Sequence, residues 1–572
     1  MRRSGVAAVL LAAGSLTAAT ATVASADDED GFKTSQGAML TAVKPGTTVE
    51  PIITVGETLP GGYRFESIPD GIALRERNND RAEVFVNHET STVPFPFTFP
   101  GAPTEANQND FDNAQLSRLF LTEAGRVVRG SYAIESAAGY QRFCSNYLAT
   151  EREGFDRPLL FTNEEAIDWV NRSGKAWPAT IGDPAARQAG VVVAYDPRTG
   201  RHRPIWGMGR HNHENSVAVP DFKKLVVLSG DDPFVSNPAQ SQLYSYVAGS
   251  RRDVWNDKGD LYAFVADDPA VNDYYDFPVG STMSVSGRFV KVPKDVATGR
   301  KPDGTDLLAA DKGYPPPPSD GTWQRDPFVP QPGPGVDGPQ WVLEHWGDLN
   351  NVFQFVRLED IAYDKRRGMS NVVYLIDSGR GATSAGGNTF TSTNGRVWKL
   401  VLDRRDPTRV ESLSILIEGD DAPVKTLAEI HQPDNIESTR TSLLVQEDPG
   451  SAQQFPFGST DPATTTARIW RYDLTSGQTE VVARVDQSAD EGPTDVDGTP
   501  GVFAPGNLGA WESSGIVDAS EVFGRGAFLV NIQAHTLWVD KALGEDNFPP
   551  AGADFTFKRE GGQLVVLRIP GA

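Results

Sequence analysis
Short apolar runs, each closed by an acidic or amide residue, recur along this chain with a constant partner. The partner is a shorter apolar run that begins at an acidic, thiol or hydroxyl residue. Ile68-Pro-Asp70-Gly-Ile-Ala-Leu74 precedes Glu83-Val-Phe-Val-Asn-His-Glu89, and Arg142-Phe-Cys144 precedes Leu159-Leu-Phe-Thr-Asn-Glu-Glu165. His213-Glu214-Asn-Ser-Val-Ala-Val219 precedes Lys224-Leu-Val-Val-Leu-Ser-Gly-Asp-Asp232, and Arg357-Leu-Glu359-Asp-Ile-Ala-Tyr363 precedes Asn371-Val-Val-Tyr-Leu-Ile-Asp377. Gln432-Pro-Asp434-Asn-Ile436 precedes Ser442-Leu-Leu-Val-Gln-Glu-Asp448. A weaker sixth unit pairs Ser514-Gly-Ile-Val517 with Ala527-Phe-Leu-Val-Asn-Ile-Gln533. Runs of this length and composition read as strands rather than helices.

The first positions (70, 144, 214, 359, 434 and 514) are separated by 74, 70, 145, 75 and 80 residues. One interval is nearly double, and it holds a proline-rich insertion at about 268–345, including Pro315 to Pro318, whose composition suits an irregular excursion. Further strand pairs with tight turns follow most units, as in Val191-Val-Val-Ala-Tyr-Asp-Pro-Arg-Thr-Gly200 and Ala467-Arg-Ile-Trp-Arg-Tyr-Asp-Leu-Thr-Ser-Gly477. Two inner and two outer strands make a four-stranded antiparallel blade, and radial repetition makes a β-propeller. The expectation is an all-β, six-bladed propeller around a central channel, or a seven-bladed one if the insertion hides a degenerate blade. Residues 27–572 form one domain in this reading.

Composition adds a compartment. Arg2, Arg3, the apolar stretch from Val6 to Leu16 and Ala24-Ser25-Ala26 read as an export signal over residues 1–26, cleaved after Ala26. A secreted, extracellular bacterial protein is expected, by either the general or the twin-arginine route. No stretch reaches the roughly 20 apolar residues of a membrane span, so stable membrane insertion is not expected. The formal net charge of −23 becomes −25 once Arg2 and Arg3 are removed. That surface repels nucleic acid and attracts cations. The single cysteine, Cys144, excludes an internal disulfide, and an unpaired cysteine in an oxidising compartment is either buried or used.

In a propeller the first strand of each blade lines the channel, so Asp70, Cys144, Glu214, Glu359, Asp434 and Ser514 meet at one mouth. Glu89, Glu165, Asp232, Asp377 and Asp448 close the neighbouring strands there. Any one acidic residue at a strand end is ordinarily a turn former or a solvated group. Many together repel one another unless they take up protons, spread apart or bind cations. Carboxylates suit calcium, and a thiolate favours iron or zinc, so a mixed set points to more than one metal type. Arg357 beside them reads as a salt bridge or as a fork for a phosphoryl or carboxylate group.

These residues resemble the PhoX family of secreted, calcium-dependent alkaline phosphatases, a β-propeller family. Asn87-His88-Glu89, Cys144, Asn163-Glu164-Glu165, His213-Glu214, Gly230-Asp231-Asp232, Arg357-Leu358-Glu359 and Pro433-Asp434-Asn435 carry the resemblance in family order. It departs at supporting positions: Leu358 for proline, Asn435 for glycine and Asn163 for cysteine. The resemblance implies a cluster of Ca2+ and Fe3+ ions that hydrolyses a small-molecule phosphate ester. Carried over by position, Cys144, Glu214, Glu359 and Asp434 would bind iron, Glu165 calcium, and Arg357 would hold the phosphate as the catalytic and substrate-binding group. A monomer is expected. The rival readings are a calcium-dependent phosphodiesterase or lactonase-like propeller, in which Cys144 would be idle, and a non-catalytic metal-stabilised binding propeller.

Overall fold
A computed structural model describes residues 31–77, 81–89, 114–167, 169–171, 186–233, 238–319, 322–323, 335–379, 394–420, 426–449, 464–487, 509, 511–534 and 561–572. The export signal read from residues 1–26 lies outside them. The described chain is built from antiparallel strands whose apolar runs are buried on both faces, as in Leu225–Asp231 and Val372–Asp377.

The strands assemble as blades. Blade one is Pro69–Arg77, Arg81–His88, Gln115–Thr122 and Val127–Ile134, in spatial order from inside to outside. Blade two is Phe143–Ala149, Leu159–Glu164, Val192–Asp196 and Arg201–Ile205. Blade five is Pro433–Ser438, Ser442–Glu447, Arg468–Asp473 and Thr479–Val485, edged by Leu40–Ala42. Blade six takes Glu512–Asp518, Ala527–Ala534 and Gly561–Arg568 from the end of the chain and Thr48–Thr54 from its start. That strand, paired to Gly561–Arg568, ties the two ends of the propeller together.

Blades three and four share one nine-stranded sheet. Its two inner edges are His213–Val219 and Leu358–Tyr363, and the bridging strand Ser284–Lys291 pairs with Asp260–Ala266 on one side and Arg409–Glu418 on the other. Counted as separate sheets there are therefore four blades beside one fused pair. The inner strands number six, and each packs on the next until Glu512–Asp518 returns to Pro69–Arg77. The core follows the same division. An apolar cluster fills each of the six blade interfaces, for example Leu116, Phe143, Leu160 and Val193 between blades one and two, and Leu444, Ile469, Val530 and Val565 between blades five and six. Burying both faces of every blade in this way removes the exposed sheet surface that an isolated four-stranded sheet would present.

The region at 268–345 is not uniformly irregular. It supplies the bridging strand and most of the helix Pro339–Leu349, whose Val342, Leu343 and Trp346 pack against the core between blades two and three.

All six inner strands carry a β-bulge at the same register: between Pro69 and Ile72, Phe143 and Asn146, His213 and Ser216, Leu358 and Ile361, Pro433 and Ile436, and Ser514 and Ile516. A bulge inserts a residue and re-aims side chains. Here it also lets neighbouring inner strands approach closely. A Cβ on Gly71 would lie 2.6 Å from Ser145 Cα.

Candidate metal centre
The bulges decide where the acidic residues point. Asp70, Cys144, Glu214 and Glu359 are the first residues of four successive bulges, are buried, and gather at one end of the channel. Asp434 holds the same place in blade five and is partly exposed at the mouth. Two residues before these positions, Ile68, Arg142, Arg357 and Gln432 have φ of 50°, 39°, 57° and 47°. Left-handed backbone at non-glycine residues is unfavourable and persists where the surroundings over-determine it. Its recurrence in four blades ties the strain to this mouth and sets the direction in which Arg357 leaves the chain.

Four sets of three ligand-type side chains bring their donor atoms within 4.8 Å of one another: Asp70, Glu89 and Cys144; Cys144, Glu165 and Glu214; Glu214, Glu359 and Asp434; and Asp434, Asp448 and Glu512. Cys144, Glu214 and Asp434 each belong to two sets, so the four sets form one continuous arc. The five residues expected to bind metal (Cys144, Glu165, Glu214, Glu359 and Asp434) all lie on it. Asp70, Glu89 and Asp448 extend it, and Glu512 closes it at blade six.

The contacts within the arc are those of groups short of counter-charge. The Cys144 thiol donates to Asp70 Oδ2 at 2.9 Å, and Ser514 Oγ donates to Asp70 Oδ1 at 2.7 Å. Ser145 Oγ donates to Glu214 Oε1 at 2.9 Å and Ser378 Oγ to Glu359 Oε1 at 2.5 Å. Burial, followed by the charges of Asp70, Glu214, Glu165 and Glu89, pushes the Cys144 thiol well up. Burial and then Asp434, Glu359 and Asp70 do the same to Glu214, and burial and then Asp448 and Asp434 to Glu512. Glu165, Glu359 and Asp434 are raised as well, chiefly by burial. Without cations this arc is neutral only by holding protons. Several buried carboxylates and a thiol at mutual ligand distance fit hard divalent ions, and the thiol fits a softer ion beside them.

Among the described residues, Arg357 and Arg142 bring cationic side chains to the arc. Arg357 presents a fork to Asp232, Nε to Oδ1 at 3.0 Å and Nη2 to Oδ2 at 2.9 Å, and its Nη2 lies 3.1 Å from Glu359 Oε1. Burial opposes its charge, but Asp232 and Glu359 outweigh burial and hold the guanidinium firmly protonated. Arg142 Nε stands 3.7 Å from Glu89 Oε2.

Asp377 does not join the arc, although the sequence pattern placed it with the strand-closing residues. Its partner across the ladder is Leu358, the register of Glu164, Asp231 and Glu447 rather than of Glu165, Asp232 and Asp448. At that register buried acids serve the fold. Asp377 accepts from Arg396 N at 3.1 Å and Trp398 Nε1 at 2.9 Å, and Glu447 accepts from Arg468 N at 2.9 Å and Trp470 Nε1 at 2.8 Å. In blade four the channel-facing place is held by Ser378. Glu512 is the residue that sequence reasoning missed. It sits two places before Ser514, the position that Arg357 holds in blade four, and an acid directly after Trp511 was the available signal.

Carboxylates and one thiol concentrated at the mouth of a propeller make a candidate metal centre. A family model described as alkaline phosphatase PhoX matches residues 169–490, more than half of the chain. The chain belongs to that family and is an alkaline phosphatase by class. No curated protein matches it. Among solved structures it is similar to an α-L-arabinanase of Penicillium chrysogenum, at 9% identity over 91% of this chain and 98% of that one, with a TM-score of 0.36. It is also similar to a Trypanosoma rangeli sialidase, at 9% identity over 92% of this chain and 60% of that one, with a TM-score of 0.31. Likenesses this loose say nothing about the site.

Proposed function
We propose that this chain hydrolyses small-molecule phosphate monoesters at the mouth of its propeller, with calcium and iron held by the acidic arc, and that it does so as a secreted monomer. The observation that carries the reading is the arc itself: four overlapping ligand sets that share Cys144, Glu214 and Asp434. Cys144, Glu214, Glu359 and Asp434 would hold iron and Glu165 calcium, with Asp70, Glu89, Asp448 and Glu512 completing the donor set. Bound ions supply charge neutralisation and Lewis-acid activation for attack on phosphorus.

The chain's own residues supply position. Arg357 is oriented by Asp232 and Glu359, and a fork fixed beside the arc would grip nonbridging oxygens and keep the ester aligned. Because the fork is already fixed, little reorganisation is needed as charge develops on those oxygens.

Cys144 speaks against a calcium-only lactonase or phosphodiesterase, since its thiol belongs to two of the four ligand sets rather than standing idle. The charged start, the apolar stretch and the small-residue cleavage pattern of residues 1–26 support export. No helix among the described residues is long and apolar enough to cross a membrane. The test is elemental analysis of the mature protein with p-nitrophenyl phosphate turnover before and after chelation. Iron plus calcium and chelator-sensitive turnover are expected. Calcium alone without phosphate chemistry would reject the reading.

A further inference from the structure
The far end of the propeller carries a second charged feature of opposite sign. Arg75, Arg77, Arg118, Arg157 and Arg198, with Glu151, Pro158 and Pro197, line a cavity of about 420 Å³ between blades one and two. Strand register sets its position. Asp70 begins the inner strand of blade one at the metal mouth, and Arg77 ends the same strand seven residues later, about 23 Å away at the usual rise per residue. Leu159–Glu164 likewise runs from the Arg157 end toward Glu165, and the turn bearing Arg198 follows Asp196 at the same lower edge. The groove is therefore separate from the metal centre.

Its charges are not balanced internally. The Glu83 carboxylate, fully buried, is shared by three arginines: Arg118 Nε at 2.6 Å, Arg75 Nη1 at 3.4 Å and Arg77 Nη1 at 3.7 Å. Asp196 is shared by Arg157 Nη2 at 3.1 Å and by Arg251 Nη2 at 2.9 Å, which approaches from outside the lining. The five lining guanidiniums thus outnumber the carboxylates of Glu83, Asp196 and Glu151, and Arg251 takes up part of the Asp196 charge. The Nε of Arg157 has no hydrogen-bond partner. Arg77 and Arg157 are 43% and 38% exposed, and Arg198 is exposed on its turn. On a chain of net charge −23 such a concentration is the reverse of the surrounding field.

Glu83 and Asp196 hold Arg75, Arg77, Arg118 and Arg157 in place, and these line the cavity together with Arg198. A planar fork matches two oxygens of one phosphoryl or sulfuryl group, and a lining with arginine as its sole cation favours that geometry over a point charge. The cavity lies in the size range of small-ligand pockets and can take more than one such group. We propose that this groove is a non-catalytic binding site for a multiply charged oxyanion ligand, one carrying two or more phosphoryl or sulfuryl groups.

The test uses the metal-loaded chain and inositol hexasulfate, a polyanion that a phosphatase centre does not hydrolyse. Equilibrium dialysis is expected to give one bound equivalent at low salt, with affinity falling as salt screens the groove. The double variant R77A/R198A removes the two most accessible forks and is expected to weaken binding at least about tenfold, the size of one lost charged hydrogen bond. Its p-nitrophenyl phosphate turnover should match the wild type, and R77K/R198K should recover part of the affinity. Tripolyphosphate should displace the probe better than inorganic phosphate does. Wild-type affinity in R77A/R198A would overturn the proposal, as would displacement by inorganic phosphate as readily as by tripolyphosphate, which would place the probe at the metal mouth.

Discussion
Replacing Arg357 with alanine separates the clamp from the metal scaffold. The guanidinium makes two hydrogen bonds to Asp232, at 3.0 and 2.9 Å, and a contact to Glu359 at 3.1 Å, with the side chain only 12% exposed. A preoriented donor of this kind typically contributes about 10²–10³ in rate, or roughly 3–4 kcal/mol of transition-state stabilisation. The expected fall in kcat/KM on p-nitrophenyl phosphate is of that order. Arg357→Lys keeps the charge without the fork and should regain about one order of magnitude. The metal content gives an independent readout. Removing a cation beside Asp232 and Glu359 strengthens the negative field, so iron and calcium per chain should be retained in Arg357→Ala. Turnover within about threefold of wild type at unchanged metal content, well short of that cost, would refute the clamp. Loss of metal from the variant would refute it too, because Arg357 would then be supporting the arc rather than the substrate.

The remaining predictions concern protons and metals. In metal-stripped protein the raised carboxyls of Glu165, Glu214, Glu359, Asp434 and Glu512 bind protons more tightly folded than unfolded, so their contribution is present below the ordinary carboxylate range and is lost as pH rises. Calorimetry should therefore show the stripped form losing Tm from pH 5 to pH 8 while the loaded form does not; parallel curves would contradict the arc as an apo-state strain. Cys144→Ser should lower tightly bound iron more than calcium, with affinity falling by more than the roughly tenfold to hundredfold cost of losing an outer-shell partner; full iron by elemental analysis would reduce Cys144 to packing. Glu66, buried and hydrogen-bonded by Tyr132, has its pKa raised from 4.5 to about 7 by burial. Its stabilising protonated form is lost as pH climbs through that window, so Glu66→Gln should gain about 1–3 kcal/mol on wild type between pH 5 and pH 8 in denaturant titrations. A pH-independent difference would contradict the shift.

Much of the fold was legible because both faces of each blade are buried, which turns its strands into plain apolar runs such as Lys224-Leu-Val-Val-Leu-Ser-Gly. Two elements resisted for opposite reasons. Thr48–Thr54 belongs to blade six only by pairing with a strand more than five hundred residues away, and no local pattern carries that information. Ser284–Lys291 does alternate between exposed and buried positions, but it lies in a region whose prolines and uneven spacing argue for an excursion. It is a strand because two blades flank it and supply ladder partners on both edges.

The site was legible wherever one rule held in every blade, that the channel-facing residue precedes a fixed apolar run. The rule located Asp70, Cys144, Glu214, Glu359 and Asp434 because the bulge has the same register in each inner strand. It failed at Asp377 because two rings of acids stand one residue apart on the second strands, and a one-residue step turns a side chain to the other face. Glu164, Asp231, Asp377 and Glu447 form the inward-bonded ring, and Glu89, Glu165, Asp232 and Asp448 the channel-facing one. Blade four fills the second ring with Ser378, so residue type alone selects its neighbour. What separates the rings is the partner, not the acid: in blades four and five the inward acid is matched by a buried Arg-x-Trp on the third strand, Arg396 and Trp398 or Arg468 and Trp470. In those two blades an acid across from that motif is committed to the fold, and the next residue along faces the channel. Applied to the sequence, that criterion moves the blade-four position from Asp377 to Ser378. Among the described residues of blade four, it leaves Glu359 as the one acid that reaches the arc.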